Sequence, residues 1–81
     1  MSYIARVDVM LKDGIADPQG QTIEKALPAL GYEGVKDVRV GKVIEFEVEA
    51  GSEAEARTAA QEMCERLLAN TVIESYEVSI R

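Results

Sequence analysis

Residues 17–32 read Asp17-Pro18-Gln19-Gly20-Gln21-Thr22-Ile23-Glu24-Lys25-Ala26-Leu27-Pro28-Ala29-Leu30-Gly31-Tyr32, and their reading decides the fold. Asp17 can accept hydrogen bonds from the free N–H groups of a first helical turn. Pro18 follows it, where a missing N–H costs nothing and a fixed φ suits the first helical position. Gly31 stands where the chain leaves a helix through a left-handed conformation. Between them, Ile23, Ala26, Leu27 and Leu30 make one apolar stripe. Pro28 removes the hydrogen bond to the Glu24 carbonyl, which predicts a bent or loosened last turn. A helix this short is marginal alone, so it is expected to lie on a sheet.

The flanking segments supply one. Residues 2–12 alternate, with Tyr3, Ala5, Val7, Val9 and Leu11 on one face and Ile4, Arg6, Asp8, Met10 and Lys12 on the other, the pattern of a strand with one fully apolar side. Lys12-Asp13-Gly14 reads as its exit turn. After Gly31–Gly34, two strands are expected at Val35–Val40 and Val43–Ala50, joined at Gly41-Lys42. Parity constrains that joint. A two-residue loop would turn Glu45 and Glu47 into the core, so a three-residue loop or a bulge at Gly41 is predicted. Ser52-Glu53-Ala54-Glu55 has capping-box spacing. Residues 53–69 are rich in helix formers, with Ala56, Ala59, Ala60, Met63, Cys64 and Leu67 as the stripe and Asn70 as a left-handed stop. Residues 72–80 form a last strand with Tyr76, Val78 and Ile80 on one face.

The order β-α-β-β-α-β predicts an α+β, ferredoxin-like arrangement: an antiparallel sheet with both helices on one face, the first and third strands central and the second and fourth at the edges. The other face is left open and mixed. It carries Ile4, Met10 and Val43 among Arg6, Asp8, Glu45 and Glu47, so a partner chain is expected to cover it. The 81 residues allow one domain, 1–81, with one small core, and a thin core favours association with other chains. The formal charge of −6 disfavours nucleic acid, which needs clustered Lys and Arg. No apolar run is long enough for a membrane span, no basic-then-apolar leader is present, and one Cys makes no internal disulfide. A cytoplasmic protein is the expectation.

Catalytic chemistry is sparse. There is no His, so the commonest general base is missing. Cys64 has no His to activate it and reads as a packed helical thiol. A paired-Cys metal motif is absent. Glu45, Glu47 and Glu49 share a strand face and read as a solvated, pairing-averse surface rather than a cation site. The remaining cluster is Arg39-Val40-Gly41-Lys42, two cations around a Gly on an acidic chain. It is either an anchor for an acidic partner or phosphorylated ligand, or a pair of surface cations at a turn.

Taken in order, the segments resemble the PurS subunit family of phosphoribosylformylglycinamidine (FGAM) synthase. The matching stretches are Val9-Met10-Leu11-Lys12, Asp17-Pro18-Gln19-Gly20, Ala26-Leu27, Leu30-Gly31-Tyr32, Val38-Arg39-Val40-Gly41-Lys42, Glu62 to Asn70, and Val72-Ile73-Glu74. Thr71, where the family usually has Pro, and Pro28 depart from the pattern. The resemblance implies a small non-catalytic subunit of a purine-biosynthetic ligase. It would bridge a glutaminase subunit and a synthetase subunit that binds ATP and magnesium, and this chain would hold no cofactor. It implies a homo-oligomer, a dimer or dimer of dimers. The binding or interface candidates come from the residues themselves, Arg39, Gly41 and Lys42 from the cation cluster and Ile4, Met10 and Val43 from the open sheet face, with no catalytic or metal residue expected. The alternative is a stand-alone, dimeric, ligand-binding regulatory module of the same fold.

Overall fold

The computed structural model describes residues 1–81. Strand β1 spans Ser2–Leu11, helix α1 Pro18–Ala26, strand β2 Gly41–Glu49, helix α2 Glu53–Met63 and strand β3 Glu74–Ile80. Short helical turns follow each helix, a 3-10 turn at Pro28–Leu30 and a π turn at Cys64–Leu68. The three strands are antiparallel in the order β2-β1-β3. The α+β, ferredoxin-like arrangement expected from the element order therefore holds, with β1 central as predicted and one strand fewer.

Local signals place the ends. Asp17 Oδ1 accepts the Gly20 N–H at 2.9 Å, with Pro18 as the first helical residue. Pro28 ends α1 and opens the 3-10 turn, and Gly31 leaves it at φ 95°. Ser52 Oγ accepts the Glu55 N–H at 3.2 Å, while Glu55 Oε2 reaches back to the Gly51 N–H at 2.9 Å, one residue beyond the reciprocal bond of a capping box. Asn70 is not left-handed, since Asp37 alone among the non-glycine residues has positive φ. The π turn ends α2 instead, and the Asn70 carbonyl accepts the Ile73 and Glu74 N–H groups.

The apolar face of β1 is the core. Ala5, Val7 and Val9 are buried, and α2 lays Ala56 and Ala60 over β1 and β3, with Cys64 of the following π turn packed against Val7 and Val9; none of the three has exposed surface. Ile44, Phe46, Leu68, Tyr76 and Val78 pack around the centre, half-buried. β2 lies at the sheet edge and α2 does not reach across it.

Two expectations change. Residues 35–40 are not a paired strand, and no hairpin forms at Gly41-Lys42. Gly41 is the first residue of β2, opposite Met10, so the chain runs straight through the predicted loop. The β2 that results is an edge strand, where the expected third strand was to be central. The parity difficulty disappears as a result: along an unbroken strand Val38, Val40, Ile44, Phe46 and Val48 share one face with no turn between them. Second, α1 does not lie over its own sheet. It makes its contacts with the 3-10 turn that follows it, and residues 12–40 form an arm projecting past the end of β1. The molecule measures 51 × 25 × 14 Å, with a radius of gyration of 16.3 Å, against about 12 Å for a compact chain of this length.

Candidate functional site

The arm is built on Asp17. Its Oδ1 caps α1, and its Oδ2 accepts the Val40 N–H at 2.8 Å. Two turns further on, Glu24 Oε1 accepts the Val38 N–H at 3.1 Å. Two carboxylates on one helix face thus hold two alternate amides of an extended segment. Gly20, buried between them, lets the helix backbone approach the Val38 carbonyl closely. The Gly20 and Val40 amides hold the Asp17 pKa below its ordinary value, with Arg39 adding in the same direction against partial desolvation.

That depression has a consequence for pH. A carboxylate whose folded pKa lies below its unfolded value of about 3.9 stabilises the fold fully above that value, and the contribution is lost as pH falls toward the folded pKa. Acid should therefore loosen the arm before the core. Between about pH 6 and pH 3, amide exchange at Val40 should accelerate relative to that at Val7. An unchanged ratio of the two would refute the anchor.

The predicted cluster divides. Arg39 donates to the Leu11 carbonyl and pairs with Asp13 Oδ1 at 3.6 Å, tying the base of the arm to the end of β1. Lys42 lies on the opposite side of the strand, across from Val9, exposed and without an ion pair. It lines a shallow cavity of about 350 Å³ between the end of β1 and the start of α1, together with Leu11, Asp17, Pro18 and Val40. Gly41 faces away with Met10, whose Sδ occupies the space a side chain at 41 would need. Ile4 and Val43 are 40% and 53% exposed on the open face. They sit opposite Glu47 and Asp8 respectively, with Arg6 and the Arg6–Asp8 pair between them, so they do not join into one apolar patch.

Cys64 is buried, and burial raises the pKa of its thiol, with the Glu65 charge adding to the shift. Both effects disfavour the thiolate that a nucleophile requires. No three carboxylates or thiols converge as metal ligands. Glu45 pairs with Arg81 at 3.3 Å, and Glu49 lies 3.8 Å from the N-terminal ammonium. No helix is long and apolar enough to cross a membrane. Sequence reasoning missed the clamp that Asp17 and Glu24 place on Val38 and Val40. The available signal was the second oxygen of Asp17, which a helix cap does not use.

Residues 4–81 match the family model described as PurS, phosphoribosylformylglycinamidine (FGAM) synthase. The chain is 48% identical over 75 residues to the phosphoribosylformylglycinamidine synthase subunit PurS of Synechocystis, covering 93% of this chain and 75% of that one. To the subunit PurS of Bacillus subtilis it is 44% identical over 78 residues, 96% of this chain and 92% of the relative. Among solved structures, a chain of PurLQS from Thermotoga maritima superposes with a TM-score of 0.90 at 37% identity, covering 100% of this chain and 99% of that one. A match that runs from Ile4 to Arg81, with relatives 44–48% identical over nearly the whole chain, places the chain in the PurS family of FGAM synthase subunits.

Proposed function

We propose that this chain is the small, non-catalytic subunit of an FGAM synthase and bridges the synthetase and glutaminase subunits during glutamine- and ATP-dependent amidine formation. The likeness along its whole length to a chain of the three-component PurLQS structure carries this reading. The chemistry of the surface supports it: the only thiol is buried, and what the exposed residues offer is shape and charge. In this reading ATP and magnesium bind to the synthetase subunit, the chain holds no cofactor, it works in the cytoplasm, and free copies associate with one another.

Co-purification with the synthetase and glutaminase subunits, with and without glutamine and ADP, tests the bridge. A stable ternary complex is expected, and failure to assemble under every condition would end the proposal. Lys42, unpaired and exposed, is the candidate contact on the partner side. Lys42→Ala should leave the melting temperature unchanged and weaken assembly about threefold to tenfold, roughly 0.6–1.4 kcal/mol. Its salt dependence should be shallower than the parent's, because a rim charge acts by steering. An unchanged affinity and salt slope, read by titration calorimetry, would return Lys42 to the status of a solvated cation.

A further inference from the structure

We propose that Arg57 guards the outer edge of β3: its guanidinium, seated on the Val78 carbonyl, keeps a second copy of this chain from adding a strand there. The inference is independent of the synthetase and glutaminase subunits, because it concerns what the free chain does not pair with.

β3 has β1 on one side and no strand on the other. The ladder shows which of its groups face outward. Ile4 and Arg81 exchange both backbone hydrogen bonds, at 2.9 and 2.8 Å, and the Lys12 N–H donates to the Ile73 carbonyl. Counting inward by twos from those pairs, Ser79, Glu77 and Ser75 turn their N–H and C=O groups toward β1. Tyr76, Val78 and Ile80 therefore turn theirs toward the open edge. Strand edges are commonly kept from pairing by a proline, a bulge, a lysine or a short length. β3 has none of these. It runs seven residues, Glu74–Ile80, pairs with β1 one to one without a break, and contains no Pro, Gly or Lys. Of its two carboxylates, Glu74 is turned back onto the Asn70 amide, and Glu77 stands on the open face opposite Asp8.

What stands over the edge is Arg57, which follows the buried Ala56 on α2. Its Nη1 donates to the Val78 carbonyl at 2.9 Å, in the middle of the edge. Its Nη2 lies 3.7 Å from Glu53 Oε1, one turn back on the same helix, so the guanidinium is restrained from its own element. An incoming strand must bring an N–H to the Val78 carbonyl and lie about 4.8 Å from β3, in the space the guanidinium fills. A guanidinium has donors only, so it meets the N–H of an incoming strand donor against donor. Displacing it breaks a hydrogen bond to a charged group, and covering it with the added strand buries a charge.

Removing the guard tests it. Arg57→Ala deletes the whole side chain, and Arg57→Met keeps an unbranched stem along the sheet while removing the donors. In the free protein, the strand available to a bared edge is the same edge of a second copy, related by a two-fold axis. Both variants should self-associate beyond the parent's own assembly, about tenfold to hundredfold more tightly, the equivalent of one hydrogen bond to a charged group. Sedimentation from low to high micromolar concentration reads that gain. Amide exchange locates it: the Tyr76 and Val78 N–H groups should exchange freely in the parent at every concentration, and should slow with rising concentration in both variants. Variants whose mass follows the parent's throughout overturn the proposal. Added association that leaves exchange at Tyr76 and Val78 unchanged also overturns it, because the contact then lies on another surface. Association by Arg57→Met alone does the same, because the apolar stem is then its cause. A variant that melts at lower temperature and gains no association shows that Arg57 only ties α2 to β3, and that result is equally fatal.

Discussion

Gly20→Ala should destabilise the arm by about 2–4 kcal/mol, the combined cost of forcing an atom into a filled space and losing a helix cap. In an exposed helix the same change gains about 0.5–1 kcal/mol, because alanine has less backbone freedom to lose. The sign reverses here because there is no room. A Cβ on Gly20 would run into the Val38 carbonyl oxygen and lie 2.8 Å from Asp17 Oδ2. The first obstacle is backbone and cannot rotate away. The second is the carboxylate that caps α1 and holds the Val40 amide. Relief requires α1 to move off residues 38–40, which undoes the clamp. The variant should keep the exchange protection of β1 and β3, lose that of Val38 and Val40, and assemble poorly with copies of itself and with the larger subunits. Denaturant unfolding and amide exchange read both effects. A Gly20→Ala protein as stable as the parent would show that the close approach is not what seats the arm.

Ala60→Leu should lower the stability of the sheet and α2 by about 1–3 kcal/mol, at roughly 4–8 °C per kcal/mol in a domain of this size. Ala56 and Ala60 have no exposed surface and stand one helical turn apart on the side of α2 that meets β1 and β3. Small side chains there set the distance between helix and sheet. A leucine adds three carbons to an interior packed like a crystal and must push α2 outward or take a strained rotamer. Thr58→Leu, on the exposed side of the same helix, is the control and should change the melting temperature little. If both variants melt with the parent, α2 is not held close to the sheet.

The two predictions concern different parts of the molecule, and those parts were legible to different degrees. The starts of both helices and the exit from the first could be read because capping is settled within about four residues: Asp17 with Pro18, Ser52 with Glu55, and Gly31 after Leu30 each carry their own chemistry, whereas the end of α2 is a π turn and not the left-handed stop expected at Asn70. The faces of β1 and β3 could be read because alternation follows from the pleat alone. Family membership was legible in the ordered set of short stretches. The candidate site was legible in part. The sequence brings Arg39, Gly41 and Lys42 together as one cluster, yet alternation sends Arg39 and Lys42 to opposite sides of the strand, one tied to Asp13 and the other free.

What the sequence by itself determined is the two helices with their starts, and the first and last strands with their apolar faces. What only the tertiary structure decided is the path at Gly41 and the place of α1. A turn and a straight strand are both open to Val40-Gly41-Lys42-Val43 as a local matter. The choice depends on groups far away in the chain: Met10, which fills the space beside Gly41, and Asp17 and Glu24, which take the Val40 and Val38 amides that a hairpin partner would otherwise compete for. Whether residues 35–40 pair, and with which chain, is a balance among such long-range contacts, and no short window of sequence contains both sides of it.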